Sequence, residues 1–200
     1  MNLYYSPGAC SLAPHIAMRE AGIPVELKKV DLKAKQVEGS DYKAVNGKGY
    51  VPALETPEGV LTECPVILQY IADQKPGSGL APAAGDKARL KMAEMLSFIT
   101  SEIHKGMGNF FNPAMNDGWR QAVTDRLGVR LDWVAKQLGA KPYLMGEQFS
   151  VADAYLFTIL NWAAPSKFDL SKWPSLQEYH KRVAARPKVQ ETLKAEGLVK

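Results

Sequence analysis

The feature that most constrains this chain is a change of period on either side of one Pro/Gly-rich stretch. Residues 76–85 read Pro-Gly-Ser-Gly-Leu-Ala-Pro-Ala-Ala-Gly, a run that ends regular structure rather than continuing it. Before it, strand and helix signals alternate. Leu3-Tyr4-Tyr5 is a β-prone run closed by Ser6-Pro7-Gly8, and Ala9 to Ala21 carries helical spacing stopped by Gly22. Val25 to Leu32 reads as a second strand, and a polar loop follows it. Val51–Thr56 and Val60–Thr62 flank Pro57-Glu58-Gly59 as a hairpin, and Pro65 opens a helix to about Gln74. The order is βαβ followed by ββα. After the stretch no strand signal appears, and helical patterns run over about 86–111, 117–138, 151–163, 175–185 and 187–195. An α/β half followed by an all-α half predicts two layered domains, over residues 1–76 and 86–200 with a linker at 77–85.

Composition narrows the functional classes. The two cysteines in 200 residues, Cys10 and Cys64, do not make a disulfide scaffold. The net charge of +4 is spread among acids, without the basic run of a nucleic-acid arm. The first residues lack a basic segment followed by an apolar one, and no apolar run reaches 18 residues. A cytoplasmic protein with no nucleic-acid or membrane partner, and with no bound metal, is expected.

Three places carry chemistry. Cys10 follows a strand, a Pro-Gly turn and one alanine, which puts it in the first turn of the first helix. There, unpaired amides and the helix dipole favour a thiolate and predict a lowered thiol pKa. Position alone leaves a second reading, a small buried cysteine at a helix start. Residue 13 is alanine, so there is no Cys-x-x-Cys dithiol motif. Val51-Pro52 opens a strand. A cis bond there would turn the Val51 amide and carbonyl toward a ligand backbone, whereas a trans proline would mark an edge strand. Glu63-Cys64-Pro65 is another strand-to-helix junction, fit for the carboxylate and ammonium of an α-amino acid; alternatively, Glu63 only complements the helix dipole.

In the helical half, counting at 100° per residue sorts 92–111 into three faces. Met92, Leu96, Ile99 and Ile103 form a core stripe, Glu94, Glu102 and Lys105 a charged flank, and Ser97, Ser101 and His104 a face of small polar residues continued by Phe111. That third face fits a cleft, where His104 would hydrogen-bond a thiol or ligand; an exposed or capped histidine fits as well. Ser150-x-x-Asp153 ahead of an apolar run is a capping box, and Trp162 on the same helix reads as core or as a ligand wall.

Taken together, the chain resembles the bacterial beta-class glutathione transferases along essentially its whole length. The resemblance rests on Tyr-Ser-Pro-Gly-Ala-Cys-Ser-Leu at 5–12, Val-Asp-Leu at 30–32 with Lys35, Gly-Tyr-Val-Pro-Ala-Leu at 49–54 and Leu-Thr-Glu at 61–63. It extends through Ser-Glu-Ile-His-Lys-Gly at 101–106, Ser-Val-Ala-Asp-Ala-Tyr-Leu-Phe at 150–157 and Ala-Glu-Gly-Leu at 195–198. The resemblance implies a thioredoxin-like N-terminal domain, a helical substrate and dimer domain, and a homodimer. It also implies glutathione as co-substrate, bound through Val51 before a cis Pro52, with its γ-glutamyl end at Glu63 and Cys64 and its glycyl end beside Leu32 and Lys35. Cys10 would meet the glutathione sulfur, and Ser101, His104 and Lys105 would approach from the helical half. Two positions depart from the family's usual pattern: Ser97 where relatives often carry asparagine, and Cys64 where serine or glycine is usual.

The expected reaction is addition of the glutathione thiolate to small apolar electrophiles, with Cys10 and His104 as activating groups and Phe111 and Trp162 as walls for the electrophile. Tyr5 and Ser11 are rival activators through their hydroxyls. Two other readings stand beside conjugation. One is thiol–disulfide exchange or reductive dehalogenation through a Cys10 mixed disulfide, and the other is a binding module without catalysis.

Overall fold

The structure, a computed structural model, describes all 200 residues. Its first half is a six-stranded sheet in the order β4-β3-β2-β1-β5-β6. The strands are β1 (Asn2–Tyr5), β2 (Glu26–Asp31), β3 (Gln36–Val37), β4 (Ser40–Asp41), β5 (Ala53–Thr56) and β6 (Gly59–Thr62). β1 pairs in parallel with β2 and antiparallel with β5, which pairs antiparallel with β6. The parallel pair requires a crossover, and α1 (Leu12–Ala21) supplies it. α2 (Cys64–Gln74) follows the β5–β6 hairpin. Gly22 ends α1 in the left-handed conformation, with its amide on the Arg19 and Met18 carbonyls. The short β3–β4 hairpin lies within the stretch read from sequence as a polar loop. With two residues per strand, it is too brief for an alternating pattern to reveal.

The second half is helical: α3 (Lys87–Phe98), α4 (Lys105–Gly108), α5 (Asp117–Leu138), α6 (Val151–Leu160), α7 (Ala163–Ser166), α8 (Pro174–Ala184) and α9 (Pro187–Ala195). A π-helical turn, Ile99–His104, joins α3 to α4. α6 is buried along its whole length and is apolar all round, as expected of a central helix. Its capping box forms as the sequence predicts. Asp153 accepts from the Ser150 amide (2.8 Å) and hydroxyl (2.7 Å), and also from the Leu144 amide and the Tyr179 hydroxyl. Gly106 lets Leu127 pack closely, since a Cβ there would lie 2.6 Å from Leu127 Cδ2 and force that side chain to move.

One core of 44 buried residues runs through both halves. α1 carries the join, because it packs on α2, on α6 and on α9. Its His15 is fully buried and bonds Glu196 through Nδ1 (2.9 Å), while Arg19 donates to its Nε2 (3.0 Å). No helix is long and apolar enough to cross a membrane.

Candidate functional site

A cavity of about 660 Å³ opens between the two halves. Its first wall comes from the sheet edge and the start of α2: Cys10, Val51, Pro52, Glu63 and Cys64. The second comes from the helical half, chiefly Thr100, His104, Lys105, Asn109 and Tyr155.

The first wall is largely backbone. The Val51–Pro52 bond is cis. The Val51 carbonyl accepts the Cys10 thiol at 3.1 Å, and the Val51 amide has no protein acceptor. At α2 the Val66 and Ile67 amides both turn back to the Glu63 carbonyl and Pro65 has none, so the Cys64 amide is the one left to face a ligand. Glu63 holds φ +70 and ψ 114, a positive-φ conformation outside the left-handed helical well that non-glycine residues rarely adopt. Its carboxylate reaches Lys48 Nζ, which also donates to the Thr62 hydroxyl at 3.0 Å. Cys64 is buried, and its thiol lies 3.7 Å from the Cys10 carbonyl.

Cys10 differs from the sequence-based expectation in two ways. It lies two residues ahead of α1, in the turn that the Leu12 amide closes onto the Ala9 carbonyl. Its thiol is pushed up to about 12 rather than down. Desolvation is the dominant cause; backbone amides of residues 10 and 11 and the charge of Lys105 pull the other way and lose. Cys64 is likewise driven well above the ordinary thiol range by burial. Burial thus favours the protonated form of both thiols.

The second wall is side chain. His104 Nδ1 is 2.6 Å from the Tyr155 hydroxyl, and its ring meets Trp162 edge-on at 5.0 Å. Burial lowers the His104 pKa to about 4, with Lys105 contributing, so the imidazole is neutral at neutral pH. Trp162 meets Phe111 edge-on at 5.6 Å, and its indole N–H donates to the Gly8 carbonyl at 2.8 Å. A row of aromatic rings thus leads from exposed Phe111 to His104 beside the cavity, and it ties the helical half to the loop that presents Cys10.

The cavity gathers seven of the residues singled out from sequence: Cys10, Val51, Pro52, Glu63, Cys64, His104 and Lys105. Others lie elsewhere. Leu32 lines a separate groove with Ser6 and Lys29. Lys35 donates to the Gly49 carbonyl at 2.9 Å, behind the cavity-lining Tyr50. Ser101 is exposed, with its hydroxyl on the Ser97 carbonyl. Phe111 and Trp162 stand behind His104 rather than on the lining. The π turn explains Ser101. An added residue per turn breaks the 100° count, so Ser97, Ser101 and His104 do not share one face. Tyr5 and Ser11 are also off the lining, and Ser11 is fully buried, accepting from the Ser6 amide and donating to the Ser6 carbonyl.

Lys48, Thr100 and Tyr155 were missed by sequence reasoning. Lys48 and Tyr155 act on residues 15 and 51 positions away, and no local periodicity reports such pairs. The capping box did place Tyr155 on a buried helix, but that signal reads as core.

The glutathione S-transferase N-terminal domain family matches residues 1–73, and the C-terminal domain family matches residues 98–187. The chain is 42% identical over 200 residues to glutathione S-transferase GstA of Escherichia coli O157:H7, a match covering 99% of this chain and all of that one. Among solved structures, the ternary complex of BphK, a bacterial glutathione transferase, superposes with a TM-score of 0.96 at 54% identity, covering 98% of this chain and all of that one. The beta-class glutathione S-transferase of Sphingomonas chungbukensis superposes at 0.94 with 47% identity over the full length of both chains.

Proposed function

This chain belongs to the glutathione S-transferase family, among its bacterial beta-class members, and on that footing we propose that the cavity holds glutathione with its sulfur beside Cys10 and delivers it to small apolar electrophiles. One observation carries this reading. The Val51 amide, without a protein acceptor, and the Cys64 amide flank the Cys10 thiol on a single wall. The peptide backbone of a tripeptide would pair with Val51 while its γ-glutamyl carboxylate meets the Cys64 amide and its ammonium meets Glu63.

On this reading the ligand amide takes over the Val51 carbonyl and the Cys10 thiol turns to the glutathione sulfur. His104 supplies a neutral hydrogen-bonding group, its ring held by Tyr155, and Lys105 supplies positive charge toward a developing thiolate. Holding the thiolate and electrophile together supplies the remainder of the acceleration. The electrophile lies against the helical wall, where Trp162 and Phe111 back the lining. We further propose a homodimer, supported by Leu90, Val129 and Trp133, which leave apolar surface exposed on α3 and α5; Ser101 would meet glutathione there only with help from the second copy.

Calorimetric titration with glutathione, followed by conjugation assays with aryl halides and α,β-unsaturated carbonyls, tests the reading. Micromolar to millimolar binding and glutathione-dependent turnover are expected. Absence of binding would remove it.

A further inference from the structure

The cavity contains both cysteines of the chain, and the reading above gives a chemical role to only one sulfur. Both line the cavity, but Cys10 is partly exposed whereas Cys64 is 5% exposed. The Cys64 thiol rests 3.7 Å from the Cys10 carbonyl, and the Cys10 thiol points to the Val51 carbonyl at 3.1 Å. A disulfide entering the cavity therefore meets Cys10 first. The Cys64 sulfur is buried, with the Cys10 carbonyl as its hydrogen-bond partner. A more exposed thiol with a buried one packed against the same residue gives an attacking cysteine and a neighbour that can resolve it once the Cys10 side chain turns toward Cys64.

We propose that Cys64 resolves a mixed disulfide between Cys10 and glutathione, so that the chain interconverts between a dithiol and an internal Cys10–Cys64 disulfide. This rests on the cavity being a glutathione site. The co-reactant is glutathione disulfide. In the first step the Cys10 thiolate attacks one sulfur of glutathione disulfide; that S–S bond breaks, a Cys10–glutathionyl bond forms, and one glutathione thiolate leaves. In the second, the Cys64 thiolate attacks the Cys10 sulfur; the Cys10–glutathionyl bond breaks, the Cys10–Cys64 bond forms, and a second glutathione thiolate leaves. The two protons lost by the protein thiols are taken up by the two glutathione thiolates. The protein is oxidised by two electrons and glutathione disulfide is reduced by two. Excess glutathione runs the sequence backward.

The mixed disulfide has no thiol proton to give the Val51 carbonyl, which releases the Cys10 sulfur from its resting contact. Enforced proximity favours Cys64 over any thiol in solution, and offsets the small thiolate fraction that burial leaves it. In the closed form no Cys10 thiol remains to meet the glutathione sulfur, so conjugation slows until the disulfide is reduced.

The experiment treats the fully reduced protein with glutathione disulfide, quenches it in acid and measures intact mass and non-reduced peptides. Wild type should lose the mass of two hydrogens and yield a linked Cys10–Cys64 peptide. Cys64→Ser should instead gain one glutathionyl group, mapped to Cys10, and Cys10→Ser should stay unmodified. A wild-type protein that retains a glutathionyl group, or that yields no linked peptide, overturns the inference; the peptide decides this even if a variant fails to fold. Parallel calorimetry with reduced glutathione separates the two layers. Binding without disulfide formation removes the role of Cys64 alone, whereas no binding removes the glutathione site and this inference with it.

Discussion

The two walls of the cavity present their chemistry by different means. The sheet-side wall offers main-chain groups fixed by topology: the Val51 amide and carbonyl before a cis proline, and the amide that heads α2. Its side-chain sulfurs are added to a frame that would persist without them. The helical wall offers side chains whose positions depend on other side chains, His104 on Tyr155, and Tyr155 on a helix capped by Asp153. A wall of main-chain groups suits recognition of a constant ligand, whereas a wall of side chains can vary without altering the fold.

The contrast predicts that the helical wall is the easier one to collapse. Asp153→Ala leaves the Leu144 and Ser150 amides and the Ser150 and Tyr179 hydroxyls without their shared acceptor. At about 1–3 kcal/mol for each buried group left unpaired, the stability loss should exceed about 3 kcal/mol in urea denaturation. A loss below about 1 kcal/mol would show that the helical wall stands without its cap.

Acid should expose the same asymmetry. His104 is held near pKa 4 in the folded chain against an ordinary value of 6.5. Between these values the unfolded chain takes up a proton that the native imidazole refuses, so stability is complete above pH 6.5, falls as pH drops toward 4, and levels off below. At about 1.4 kcal/mol per unit, this group accounts for at most about 3.5 kcal/mol. His104→Gln should flatten that portion of the stability–pH curve; an unchanged slope would refute the assignment.

Cys10→Ser sharpens the comparison from the other side. It removes the sulfur but leaves the main-chain frame, so glutathione binding should stay within about tenfold while disulfide exchange falls at least about a hundredfold, because a serine oxygen cannot form the mixed disulfide through which exchange runs. Equal losses in binding and exchange would mean that the frame does not bind by itself.

The sheet-side wall was legible in the sequence because its signals are local. Pro52 at a strand start, Glu63-Cys64-Pro65 at a strand-to-helix junction and Cys10 after a Pro-Gly turn each stand out within a few residues, although each also fits a purely structural reading. The direction of the Cys10 pKa was not legible. A helix start favours the thiolate, but burial opposes it more strongly, and burial is a property of the closed cavity rather than of residues 9–12. The helical wall was legible only as far as its period held. The stripe of Met92, Leu96, Ile99 and Ile103 is fully buried as the count predicts, whereas Ser101 stands outside the lining because a π turn interrupts it.

The smallest expected effect asks whether the walls are independent at all. Trp162 belongs to the helical half, yet its indole N–H donates to the Gly8 carbonyl, and the Gly8 amide donates to the Glu196 carboxylate. The turn that carries Cys10 is thus held partly from across the domain boundary. Trp162→Phe keeps an aromatic ring between His104 and Phe111 but deletes the donor. A stability loss of about 1 kcal/mol is expected for that single hydrogen bond, together with a few-fold change in the rate at which Cys10 reacts with a disulfide. If stability falls but Cys10 reactivity does not move, the sheet-side wall is fixed by its own backbone and the tryptophan only joins the domains. If both move together, the helical half helps to position the thiol, and the two walls form one site rather than a frame facing a variable surface.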